Sequence, residues 1–161
     1  MKQKPRIEHF TGKTFVGKKL DMSFAENKTA ELWRSFMPMR KEIENSVGIE
    51  LYSIEVFPPG FFIGFSPQTT FEKWAAVEVP HGSHCPESMQ QIGIGEGLYA
   101  VFTHRGPASS GPVTYQYIFQ TWLPNSDFEL DNRAHFAVMD ERYKQEDPSS
   151  EEELWIPVCK K

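Results

Sequence analysis

The chain has 161 residues, 39% of them hydrophobic and 14% aromatic, with a formal net charge of -5 and a pI near 5.6. This suffices for one globular domain with a real core, and the scattered Lys and Arg argue against a protein whose main partner is a phosphate backbone, because that affinity rests on clustered cations. No apolar run approaches the ~20 residues that span a bilayer, and Cys85 and Cys159 form no CxxC pair and follow no secretory leader, so the expectation is a soluble cytoplasmic chain without a disulfide.

The first dozen residues, MKQKPRIEHFTG, are polar and are expected to lead into a strand over 14–24. A helix follows over 28–37, where Leu32, Trp33 and Phe36 recur on one stripe until Pro38 ends it. Strands are predicted over 51–57 (LYSIEVF) and 71–79 (FEKWAAVEV), and PHGSHCPESMQQIGIGEG reads as a connection. The pattern then returns: a strand over 98–104, a helix over 113–124 closed by a proline, and strands over 135–143 and 153–158. The expected fold is therefore α+β, with tandem strand-helix-strand-strand halves over 14–79 and 98–158 forming one antiparallel sheet that carries two helices in a single domain. A cleft between like halves is a common place for a ligand.

Five segments carry a resemblance in the right order: ELWRSFMPMRKEI, FEKWAAVEV, GLYAVFTHRGP, FQTWLPNSDFELDNRAHF and DPSSEEELWIPV. Together they resemble the GyrI-like effector-binding family, the module that forms the C-terminal half of many bacterial AraC-type and MerR-type regulators. Within that family the chain looks like the stand-alone members carried on integron gene cassettes. The resemblance implies a GyrI-like/SOUL-like fold with a pocket for lipophilic cations, walled by aromatics around a buried carboxylate. The residues before the first strand are too few for a helix-turn-helix, so a stand-alone binding module is expected, without direct contact to nucleic acid or membrane and with no cofactor. A ligand-dependent co-regulator acting through a regulatory protein partner is a further alternative expectation; monomer and homodimer fit equally well.

Aromatic faces attract a delocalised cation by about 0.5 to 2 kcal/mol per contact, and a partly desolvated carboxylate supplies charge that a neutral competitor cannot use. Strand alternation places Trp74, Ala76 and Glu78 on one face of FEKWAAVEV, and Trp155 and Pro157 on one face of ELWIPV. Trp155 is the first candidate wall residue, followed by Tyr99. His135 and Met139 are further candidates in the penultimate strand. The family pattern implies a glutamate two residues after His135, where this chain has Ala137. Glu78 is then the leading acid and Glu55 the second choice. The vacancy also weighs against the alternative, a hydrolase of reactive small molecules with a glutamate base, so no catalytic residue is assigned. His81, His84 and Cys85 have donor chemistry but no second pair at metal-ligand spacing, and the loop is not assigned a metal.

Overall fold

A computed structural model describes residues 3–161. Among the described residues, nine strands and two main helices follow one another as β1 (Arg6–Phe10), β2 (Lys13–Met22), α1 (Thr29–Phe36), β3 (Leu51–Val56), β4 (Phe71–Val79), β5 (Gln90–Ile94), β6 (Gly97–Arg105), α2 (Gly111–Tyr117), β7 (Phe128–Leu130), β8 (His135–Met139) and β9 (Glu151–Lys160). The fold is α+β with antiparallel strand pairing. No helix among the described residues is long and apolar enough to cross a membrane.

The chain divides into two compact units, Gly12–Ile94 and the segment up to Thr11 together with Gly95–Lys161. In the first, the strands run β5-β2-β4-β3. The second runs β1-β6-β9-β8, and the short β7 pairs with the C-terminal end of β9. The two orders are the same motif: the first strand of each half lies beside the last, the middle strand closes the far side, and an extra strand extends the near edge. The expected strand-helix-strand-strand repeat is thus present, with one more strand per unit. Both extra strands, RIEHF and QQIGI, have four partly or fully exposed residues followed by one buried one. They pair with one neighbour each.

Alternation sorts every strand into two faces. In the first unit Ala75, Val77 and Val79 of β4 join Val16, Leu32, Phe36 and Ile43 in an apolar core under α1. Leu32 and Phe36 lie four residues apart, one helical turn, so both reach that core. Burying side chains of this size is worth roughly 2 kcal/mol each. Pro38 does not halt the chain at Met37; the backbone tightens into a 3₁₀ segment, Met37–Glu42, in which the proline occupies the first turn and needs no N–H partner. In the second unit Ala100, Phe102, Ile118, Ala137, Leu154, Ile156 and Val158 form the equivalent core, flanked by Tyr115, Phe119 and Trp122. α2 continues through one π-helical turn, Ile118–Trp122, and a last turn, Leu123–Asn125, so the helical stretch is longer than predicted.

The predicted strand over 135–143 stops at Met139. Asp140 turns the chain there: its Oδ1 accepts the Arg142 backbone N–H at 2.9 Å and Arg142 Nε at 3.0 Å, a side-chain turn that competes with the sheet ladder. β9 runs further than predicted, from Glu151 to Lys160, because β6, β8 and β7 all hydrogen-bond to it.

Candidate functional site

The faces turned away from the two helices are aromatic. In the second unit Phe10, Tyr99, Phe136 and Trp155 pack together. Trp155 lies nearly parallel to Phe136, with centroids 5.2 Å apart, and stands 5.8 Å from Tyr99 and 6.1 Å from Phe10. Register explains the grouping: Phe136 is directly opposite Trp155, and Tyr99 is opposite Pro157, the next inward position along β9. Tyr99, Phe136 and Phe10 are buried, and Trp155 stays partly exposed.

Two arginines border this cluster. Arg133 lies over the Tyr99 ring at 4.7 Å, while its Nη2 donates to the Leu98 carbonyl at 2.7 Å and the Val158 carbonyl at 3.1 Å, and its Nε to Asp131 at 3.1 Å. Its Nη1 is buried without a hydrogen-bond partner, so the Tyr99 face is part of what offsets that desolvation. Gly97 makes room for this guanidinium: a Cβ there would stand 2.7 Å from Nη1 and 2.8 Å from Nε. Burial pushes the Tyr99 phenol up to about 12, against the downward pull of Arg133, so it stays neutral and donates to the Ala134 carbonyl at 2.7 Å.

Arg6 engages the other side. Its guanidinium lies 5.7 Å from the Trp155 ring centroid, its Nη2 donates to Glu153 Oε2 at 3.0 Å and its Nε to Glu8 Oε1 at 2.6 Å. Glu153 in turn accepts the Trp155 indole N–H through Oε1 at 3.2 Å. One carboxylate therefore fixes the indole and pairs with the cation above it.

The first unit repeats this arrangement. Glu72 Oε1 accepts the Trp74 indole N–H at 2.7 Å, Glu72 Oε2 pairs with Lys19 Nζ at 3.2 Å, and the same ammonium lies 5.8 Å from the Trp74 ring centroid. In both strands the glutamate precedes the tryptophan by two positions, which puts it on the same face. The cation differs in origin. Lys19 is directly opposite Trp74 on β2, whereas Arg6 lies on β1 opposite Val101, the residue that itself faces Trp155, and reaches across it.

The residues expected from sequence are distributed as follows. Trp74, Ala76 and Glu78 share one face of β4, with Trp74 opposite Ile54 and Ala76 opposite Tyr52. The Glu78 carboxylate pairs with Lys13 at 3.3 Å, so it already has a cation at hand. Glu55 is opposite Lys73, on the helix-bearing face of its sheet and away from Trp74, and pairs with that lysine at 3.8 Å. Trp155 and Tyr99 come together. His135 and Met139 share the opposite, helix-bearing side of β8 with Ala137, which is buried in the apolar core opposite Leu154. His135 is 6.1 Å from Phe119. The structure therefore separates His135 and Met139 from the aromatic face that holds Trp155 and Tyr99. Sequence reading missed Glu72, Glu153, Lys19, Arg6, Phe10 and Phe136. A usable signal was present, since Glu-x-Trp is spelled in both FEKW and EELW.

An open groove of about 700 Å³ lies elsewhere, lined by residues that include Lys4, Val113, Tyr117, Gln120, Trp122 and Asn125. It contains none of the predicted residues. Its lining has a lysine and no carboxylate, so it offers a cation no countercharge and fits the expected chemistry less well than either Glu-x-Trp pair.

Comparison with known proteins matches this architecture. The GyrI-like small molecule binding domain family covers residues 3–158. The transcriptional regulator BrlR of Pseudomonas aeruginosa is 30% identical over 130 residues, 80% of this chain, and the chain spans 45% of that regulator's length. Among solved structures, SAV2435 bound to tetraphenylphosphonium superposes with a TM-score of 0.73 at 12% identity, covering 98% of this chain and 94% of that one. The integron cassette protein VCH_CASS2 of Vibrio cholerae superposes with a TM-score of 0.68 at 15% identity, covering 98% and 97%. With its family pattern spanning nearly every residue and its two units built on one motif, the chain belongs to the GyrI-like small molecule binding domain family.

Proposed function

We propose that this domain is a receptor for small lipophilic cations, and that the Trp155–Glu153 pair on the aromatic face is where the positive charge is recognised. The observation that carries this reading is the geometry of that pair. A partly exposed indole, stacked on Phe136, holds a guanidinium above its ring while a carboxylate two positions earlier balances the charge. A surface that stabilises a cation of the chain has the quadrupole and countercharge to stabilise a cation from solution. Tetraphenylphosphonium bound to SAV2435, a protein of the same fold, supports the ligand class.

The same geometry favours binding over turnover. Glu153, Glu72, Glu78 and Glu55 each have a basic nitrogen within 4 Å, at 3.0, 3.2, 3.3 and 3.8 Å. Each of these carboxylates is thus already engaged in balancing charge, the role that a cation receptor needs. A module that binds without chemistry would report ligand through a protein partner.

Calorimetric titration with tetraphenylphosphonium and with neutral triphenylphosphine oxide tests the proposal. The cation should bind and the oxide should bind at least tenfold more weakly. Trp155→Leu should weaken cation binding by about tenfold, the value of one desolvated aromatic contact. Glu153→Gln should weaken the cation and leave the oxide unchanged. Equal affinity for both compounds, or full cation affinity in Trp155→Leu, contradicts the assignment.

A further inference from the structure

Building on the cation-receptor reading, we infer that Arg6 is an internal surrogate for the ligand: it occupies the Trp155–Glu153 subsite in the free protein, and a bound cation must displace it. Arg6 therefore sets the affinity threshold of the site.

Three observations converge on this role. Arg6 makes the two contacts an incoming cation needs, the indole face at 5.7 Å and Glu153 at 3.0 Å, so both cannot use the subsite at once. Its side chain is still 46% exposed, which makes it a displaceable occupant, unlike Arg133, whose side chain is 16% exposed and tied to two carbonyls and Asp131. A place to go is also on hand: Glu8, two positions along β1, already accepts Arg6 Nε at 2.6 Å and can keep the guanidinium when Glu153 is taken.

The duplicated unit gives an internal comparison. Lys19 fills the Trp74–Glu72 pair in the same manner. There Trp74 is only 3% exposed, so the equivalent box is closed to a bulky ligand. The partly exposed Trp155 makes the second unit the one where exchange of an internal for an external cation is sterically open. The charged groups at the exchange include Arg6, Glu8 and Glu153, with Arg142 acting on Glu153 through its charge.

Replacing Arg6 by glutamine keeps the chain length and removes the competing charge. Arg6→Gln is expected to bind tetraphenylphosphonium at least ~5-fold more tightly than wild type, from the loss of one partly exposed cation–π contact and ion pair. Affinity for triphenylphosphine oxide should not change, and Glu153→Gln in the same chain should abolish the gain. Arg105→Gln, which alters net charge equally at an exposed position paired with Glu151, should bind as wild type. Independently of any variant, the Arg6 Nε–H resonance of the wild-type protein should lose its ring-current shift as tetraphenylphosphonium is added. Wild-type binding with unchanged or weaker binding in Arg6→Gln overturns the inference and leaves the receptor reading standing. An equal gain in Arg105→Gln, or an Arg6 resonance that stays still at saturation, also overturns it. Absence of cation binding in both wild type and Arg6→Gln overturns both readings.

Discussion

Gly17→Ala should destabilise the domain by at least about 3 kcal/mol, more than a typical surface or edge substitution. Gly17 sits in the middle of β2, directly opposite Ala76 of β4 and Gln90 of β5. A Cβ at Gly17 would overlap the Ala75 carbonyl oxygen, and would stand 2.7 Å from the Ala76 Cα and 2.8 Å from the Ala75 carbonyl carbon. All three are backbone atoms of the neighbouring strand, so no rotamer change relieves the clash. The two strands must separate. That disturbs a ladder running from Thr14 opposite Val79 to Met22 opposite Phe71, and the core beneath it that contains Ala75 and Val77. Denaturant unfolding with linear extrapolation measures the loss. Gly93→Ala is the matched control, because a Cβ there meets nothing within 4 Å, and it should cost less than about 1 kcal/mol. A Gly17→Ala protein as stable as Gly93→Ala would contradict the close strand approach.

The second large effect is a loss of stability on mild acidification, traced to His135. Burial, with the nearby Arg133 charge adding to it, lowers the His135 imidazole to about 3. The ring is 4% exposed at the start of β8. Because the folded value is depressed, the folded protein holds the ring neutral, whereas the unfolded chain takes up a proton near pH 6.5. The unfolded state thus binds more protons below pH 6.5, and stability is complete above that pH and falls as the pH drops toward about 3. The slope is about 1.4 kcal/mol per pH unit, so acidifying from pH 7 to 5 should remove about 2 kcal/mol through this one group. Asp140, held below the usual carboxylate range by its hydrogen bond to Arg142, is still ionised across that interval and acts only at lower pH. Unfolding free energies measured at half-unit steps from pH 7.5 to 5 would show the slope. His135→Gln, though less stable overall, should have a flatter profile across the same interval. Parallel profiles for the two proteins would remove His135 as the cause.

What the sequence disclosed follows from how strongly each segment depends on its own pattern. FEKWAAVEV spans Phe71–Val79 in the structure as predicted, because its alternation separates Ala75, Val77 and Val79 from Trp74, Ala76 and Glu78 without ambiguity. The helix over 29–36 was legible from Leu32 and Phe36 at one-turn spacing. β1 and β5 were not. RIEHF and QQIGI bury one residue each, Phe10 and Ile94, and owe their conformation to the ladder offered by β6 and β2. Strand character of that kind comes from a partner far along the chain and leaves little trace locally.

The candidate site was half visible for the same reason. Parity along one strand finds Trp155 and predicts that Glu153 lies beside it on the same face, since both belong to β9. It cannot find Arg6, which reaches Trp155 from β1 across β6, nor Phe136, which stacks on it from β8. Parity applied within β8 separates His135, Ala137 and Met139 from Phe136, but only the register with β9 shows which set shares the Trp155 side. The Ala137 position therefore bears on the helix-side core. The positive charge of a ligand is better sought at Glu153.

Indole N–H resonances of the four tryptophans, followed by ¹H–¹⁵N spectra during addition of tetraphenylphosphonium, test the central claim most directly. The Trp155 N–H, which donates to Glu153, should shift saturably at the calorimetric affinity. Trp33, beside Phe36 in the core under α1, and Trp122, which packs on Phe102 and lines the open groove, should stay in place. A saturating shift at Trp122 with none at Trp155 would place the cation in the groove and contradict the Trp155–Glu153 assignment.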